Sequence, residues 1–80
     1  MPYASGAECV RVLVGFGWMP ASWNEDECLL ENGPTVLAVP LEPVLPPVLV
    51  AAIAGAAGIS PLVFVAALER RRTPLPRPSP

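Results

Sequence analysis

The residues best equipped for chemistry in this 80-residue chain form one short run, Glu25-Asp26-Glu27, with Trp23 just before it and Cys28 just after. Alternate side chains of an extended segment point the same way, so Glu25 and Glu27 together would offer oxygen ligands to a hard cation. An acid triplet without further oxygen donors is a weak metal signal, and a solvated loop and strand start is the preferred reading. No metal is assigned, and no cofactor fingerprint is present. The chain contains no histidine, so acid–base catalysis near neutrality would require a carboxyl group with a strongly raised pKa.

The second group is basic. Arg70-Arg71-Arg72, with Arg77 beyond, reads first as a helix end complementing its dipole, then as a weak RNA or DNA tether, then as a membrane flank. Trp23 and Arg70, Arg71 and Arg72 are the RNA-binding candidates, because bases stack on aromatics and phosphates attract guanidinium groups. Trp18 and Trp23 have no basic neighbours in sequence, which favours core packing for Trp18 and partial exposure or a partner contact for Trp23. Cys9 and Cys28 lack metal-ligand spacing and read as reduced core thiols, with a disulfide left open.

Composition limits what these groups can do. Eighty residues support one small domain, which excludes an enzyme with separate cofactor and substrate domains. The formal charge of −2 is unevenly spread: residues 1–69 hold all seven acids against Arg11 alone, whereas the last eleven hold four arginines. An acidic body argues against a broad nucleic-acid footprint. No charged start followed by an apolar stretch and cleavage site marks a signal peptide, and a cytoplasmic location is expected.

Local signals place these residues on elements. Ser5-Gly6-Ala7-Glu8 fits a capping box opening a helix over 6–15, with Cys9, Val10, Leu13 and Val14 at helical spacing and Glu8 and Arg11 left to water. Gly15 and Gly17 supply left-handed conformations that end it. Three short antiparallel strands follow near 18–23, 27–31 and 35–39, with Asn32-Gly33 as the hairpin signal. Pro20 and Pro34 belong at strand starts, edges or bulges. Pro47 opens a helix to about Ala57 that ends at Gly58, and Ser60-Pro61 opens a last helix to about Arg70. One domain over 1–70 is expected, followed by a disordered Pro/Arg-rich tail over 71–80.

Two blocks of this pattern resemble the HicA (YcfA-like) family of mRNA interferase toxins. The first aligns Gly6, Glu8, Val10, Leu13, Gly17 and Trp18 without a gap. The second aligns Val39-Pro40, Leu45, Pro47, Ile53, Ala57, Gly58, Ile59, Ser60 and Phe64. The resemblance covers roughly residues 5–68 and implies an α+β, double-stranded-RNA-binding-domain-like fold of order α-β-β-β-α-α, with a three-stranded antiparallel sheet packed against helices. It also implies an RNA endonuclease whose catalytic histidine starts the second strand after a glycine and a serine. In this chain Glu27 stands at the histidine position and Glu25 and Asp26 at the other two. Three adjacent acids repel a phosphodiester, so ribonuclease activity by the family route is not expected. The resemblance implies a HicB-type antitoxin as partner, bound through the helical apolar surface and the sheet edge.

The uncharged stretch 43–68 followed by arginines also resembles a membrane span. Residues 48–60 give only about 20 Å of helix at roughly 1.5 Å per residue against a core of about 30 Å, and Ser60-Pro61 breaks it. Two short helices are the better reading, with Leu49, Val50 and Ile53 on one side and Ala51, Ala54 and Gly55 on the other. Because a small sheet covers one face of each helix, Val48, Val63, Val65 and Leu68 predict an exposed apolar patch and self-association or a partner. The expected function is a HicA-like, toxin–antitoxin-related module working through protein contacts. The alternatives are an active or RNA-binding toxin with an altered site that uses Glu27, and a small single-pass membrane protein.

Overall fold

The computed structural model of the chain describes residues 3–72. Its elements run α1 (Gly6–Gly15), β1 (Met19–Trp23), β2 (Glu27–Asn32), β3 (Thr35–Pro40), α2 (Pro47–Ala56) and α3 (Pro61–Arg72). The strands form one antiparallel sheet of order β1-β2-β3, giving the α+β architecture expected from sequence.

The helix ends are set by local chemistry. Ser5 Oγ accepts from the Glu8 amide at 3.0 Å, and Glu8 Oε1 accepts from the Ser5 amide at 2.9 Å, closing the capping box. α1 ends in a Schellman motif: Gly17 has φ +97°, its amide donates to Val14 O, and the Trp18 amide donates to Leu13 O. α2 ends the same way, with Gly58 at φ +73° and the Ile59 amide donating to Ala54 O. Each motif turns the next apolar residue inward, so Trp18 is buried and Ile59 half-buried against the core. Gly15, expected to be left-handed, is the last residue of α1, because Gly17 alone reverses the chain there.

The β2–β3 hairpin turns on Gly33, at φ +60°, and Pro34. A proline ring forbids the second positive φ of a type I′ turn, so the connection has type II′ character. Cys28 and Leu30 of β2, with Val39 of β3, bury against Cys9, Val12 and Leu13 of α1, Val50, Ile53 and Ala54 of α2, and Phe64 and Leu68 of α3. α1 lies across all three strands on one face of the sheet, and α3 packs against both α1 and α2.

The packing corrects several expectations. On α2, Val50 and Ile53 are buried as expected, but it is Ala54 that joins them and Leu49 that is exposed, because positions 50, 53 and 54 share the stripe of the helix that faces the core. Leu68 is buried under α1; Val48, Leu62 and Val63 are exposed and Val65 is half-buried. α3 continues through Arg72, so Arg71 and Arg72 belong to the domain; Arg77 and the remaining tail fall outside the described residues. No single helix among the described residues is long and apolar enough to cross a membrane, and α2 and α3 meet at 113°.

Two contacts join the chain's distant parts. The Gly6 amide donates to Glu42 O at 2.9 Å, beside the Ala4–Leu45 bridge. A Cβ at Gly6 would overlap the Pro40 carbonyl oxygen and lie 2.8 Å from Leu41 Cα. Across the domain, Arg72 donates to both carboxylate oxygens of Glu8, at 2.6 and 2.9 Å, and to Tyr3 O at 2.8 Å. Glu8, expected to stay wet, is thus half-buried in an ion pair that also closes the helix cap.

Gly6→Ala therefore forces backbone apart and is expected to cost about 2–3 kcal/mol in urea unfolding. Gly55→Ala, a helical position where an added Cβ meets nothing within 4 Å, is expected to stabilise by about 0.5–1 kcal/mol. Equal effects at the two positions would refute the close approach at Gly6.

Hydrogen bonds from Arg72 and the Ser5 amide hold Glu8 down at about 2 from 4.5. A depressed carboxyl pKa gives stability that is present above the unfolded value and lost as pH falls from about 4.5 to about 2. With solvent screening of this partly exposed pair, the loss attributable to Glu8 is about 1–2 kcal/mol. Urea midpoints for wild type and Glu8→Gln should converge across that window; parallel curves would remove the ion pair from the stability account.

Candidate functional site

The acidic run forms the tip of the β1–β2 hairpin. Asn24 Oδ1 accepts from the amides of Asp26 (2.7 Å) and Glu27 (3.0 Å), the Asn24 amide donates to Glu27 O at 3.0 Å, and Leu41 donates to Asp26 O at 2.8 Å. The turn is thus organised by an asparagine side chain and backbone groups, leaving Glu25, Asp26 and Glu27 exposed. Among the described residues, no three His, Cys, Asp or Glu side chains converge as a metal site would require.

The strand alternation decides which way Glu27 faces. Cys28 and Leu30 enter the core, so Glu27, Leu29 and Glu31 occupy the opposite, open face of β2. Every described arginine stands on α1 or α3, on the helical side. Glu27 therefore places a carboxylate on an acidic face. A phosphodiester approaching it meets repulsion, and no described arginine stands on that face.

The candidate arginines divide. Arg72 is committed to Glu8, whose hydrogen bond and negative charge raise the guanidinium pKa. Arg71 reaches the C-terminal end of α1, where its Nη2 lies 3.3 Å from the place a Cβ would take on Gly15. α1 has no base in its last turn, so Arg71 supplies positive charge there from another helix. Arg70 lies beside Val12, Phe16 and Ala67 at the same end.

Trp23 and Arg71 do meet, around a groove that no single segment of sequence announces. Trp23 pairs with Cys28 and Pro20 with Leu30, which puts both on the helical side of edge strand β1, facing α1. Between them and α1 runs an open, mainly apolar groove of about 490 Å³, lined by Val10, Val14, Pro20, Trp23 and Leu41 with Arg11 and Arg71. Trp23 is 67% exposed, against 4% for Trp18. Sequence reading grouped Arg11 with neither Trp23 nor Arg71, since only the crossing of α1 over β1 brings them together.

The thiols contribute no reactive group to this groove. Cys9 and Cys28 are both free and buried. Burial pushes the Cys9 thiol up to about 11, with the Glu8 charge adding to it, and burial also raises that of Cys28. Neither forms thiolate readily near neutrality. What the site offers is an aromatic anchor, an aliphatic floor and two guanidinium groups, which suits binding of an apolar segment bearing carboxylates.

No protein-family model, no curated protein and no solved structure matches the chain.

Proposed function

We propose that this chain is a HicA-related binding module of toxin–antitoxin type, acting in the cytoplasm through protein contacts and without ribonuclease activity. Its partner is a HicB-type antitoxin that lays an apolar, carboxylate-bearing segment into the α1–β1 groove. The observation that carries this reading is Trp23, a large aromatic left 67% exposed beside an aliphatic groove with Arg11 and Arg71 at hand. Exposed tryptophan and arginine flanking a concave apolar surface are the residue types that dominate binding energy in protein interfaces. The family resemblance and the α-β-β-β-α-α order support the choice of partner. Glu27 in place of the histidine supports the loss of hydrolysis.

Titration calorimetry with a purified HicB-type antitoxin tests the reading, with Trp23 fluorescence as a second signal because Trp18 is already buried. Trp23→Ala and the double change Arg11→Glu, Arg71→Glu are each expected to weaken binding at least about tenfold, equivalent to ~1.4 kcal/mol, at unchanged circular dichroism. A labelled structured RNA incubated with the protein should run intact on a denaturing gel and show no salt-resistant binding. RNA cleavage abolished by Glu27→Gln would replace this reading with an active toxin. Antitoxin binding indifferent to the groove variants would remove the groove from it.

A further inference from the structure

Residues 1–69 contain one base, Arg11, against seven acids, yet the fold carries that base to the arginines at the end of α3. A cleft of about 370 Å³ between α1 and α3 is lined by Glu8, Arg11, Leu68, Arg71 and Arg72. The other acid on these two helices, Glu69, is exposed and does not line it. Three guanidinium groups therefore face one space with a single carboxylate, and that carboxylate is already occupied. Glu8 holds Arg72 through both oxygens and accepts from the Ser5 amide through one of them.

The Glu8–Arg72 pair is neutral as a unit, which leaves Arg11 and Arg71 uncompensated. Among the described residues, neither makes a side-chain hydrogen bond or an ion pair. Two like charges at one cleft repel, and a bound anion turns that repulsion into attraction on both sides. Arg72 adds a fixed donor. Its Nε and Nη2 are held by Glu8 and Tyr3 O, which immobilises the guanidinium plane, and its Nη1 has no partner among the described residues. Arg11 and Arg71 also line the α1–β1 groove, so cleft and groove meet at these two side chains. Beyond them lie Val10, Val14 and the exposed ring of Trp23.

We propose that the α1–α3 cleft binds the phosphate of a small phosphate monoester whose flat, apolar body extends along the α1–β1 groove toward Trp23. Charge and shape select this ligand. A phosphate monoester carries about −1.5 to −2 at pH 7, which matches two uncompensated guanidinium groups, and its three terminal oxygens take donors from separate directions. A carboxylate carries one charge and two oxygens in one plane, which a single guanidinium fork satisfies. A polyanionic strand fits less well, because the acid-rich remainder of the chain repels the phosphates on either side of the one bound. A ring beyond the phosphate gains contact with Val10, Val14 and Trp23 by burial and stacking. The proposal rests on the arginine cleft and not on the antitoxin reading, although both use Arg11 and Arg71.

Titration calorimetry on the full chain at fixed ionic strength, with inorganic phosphate, naphthyl phosphate and naphthoate as probes, tests it. Naphthyl phosphate is expected to bind saturably and at least about tenfold more tightly than either of the others. Arg11→Gln and Arg71→Gln are each expected to weaken it about tenfold or more at unchanged circular dichroism. Arg70→Gln removes a guanidinium outside the cleft and is expected to change nothing, while Trp23→Ala brings naphthyl phosphate down to the affinity of inorganic phosphate. Should Arg71→Gln disturb the fold, Arg11→Gln, at an exposed helical position, decides. The proposal is overturned by the absence of saturable binding, by naphthoate binding as tightly as the phosphate, or by equal losses at Arg70 and Arg11, which would reveal a diffuse positive field. A chain that binds the antitoxin but ignores naphthyl phosphate overturns this proposal alone, and the opposite result overturns only the antitoxin reading.

Discussion

Backbone contact at Gly6 is the constraint on which the rest of this small domain depends. α1 must start against the end of β3 closely enough for the Gly6 amide to reach Glu42 O, and that approach leaves no room for a side chain. From this point the neighbouring interactions follow in order. Ala4 bridges Leu45 on one side, Ser5 and Glu8 close the helix cap on the other, and Arg72 returns from the far end of the chain to hold Glu8 and Tyr3 O. A domain of this size buries a modest fraction of its surface, so fastening the last helix to the first turn of the first offsets a thin core. Glu8 does both jobs with one carboxylate, through its two oxygens.

Features encoded within a few residues were legible in the sequence. Ser5 and Glu8 are three apart, and the Gly17-Trp18 and Gly58-Ile59 pairs each announce a left-handed residue followed by an apolar one, so caps and helix ends could be read without tertiary information. Features made by crossing elements could not. The Arg72–Glu8 pair spans 64 positions, and neither the tightness at Gly6 nor the meeting of Arg11, Arg71 and Trp23 leaves any periodic trace. On α2 the alanines made the pattern ambiguous, because alanine is tolerated on either side of a helix, and the crossing against the core selected Ala54 over Leu49. The acidic run illustrates a third case. Its charge was evident, but its geometry rests on the Asn24 side chain, which caps the turn and aims the carboxylates at solvent.

The sheet separates the molecule into two chemically distinct sides. Its open face carries Glu27 and Glu31, and the helical side carries the four described arginines, one of them neutralised by Glu8. Such an arrangement orients the molecule in the field of a charged partner before any contact forms. It also sets the kind of partner each side can accept, since an anion is drawn toward α1 and α3 and turned away from β2. Hydrolysis of a phosphodiester at Glu27 would need the reverse arrangement, with cations gathered around the reacting phosphate to stabilise the charge that develops there.

The edges of the same sheet complete this division of labour. Pro20 and the register break keep β1 from extending the ladder, which leaves its helical side, with Trp23, free for side-chain recognition. β3 keeps unbroken register with β2, and its one proline, Pro40, stands at its last position. Side-chain contacts at one edge and backbone contacts at the other would be physically independent, because β2 lies between them.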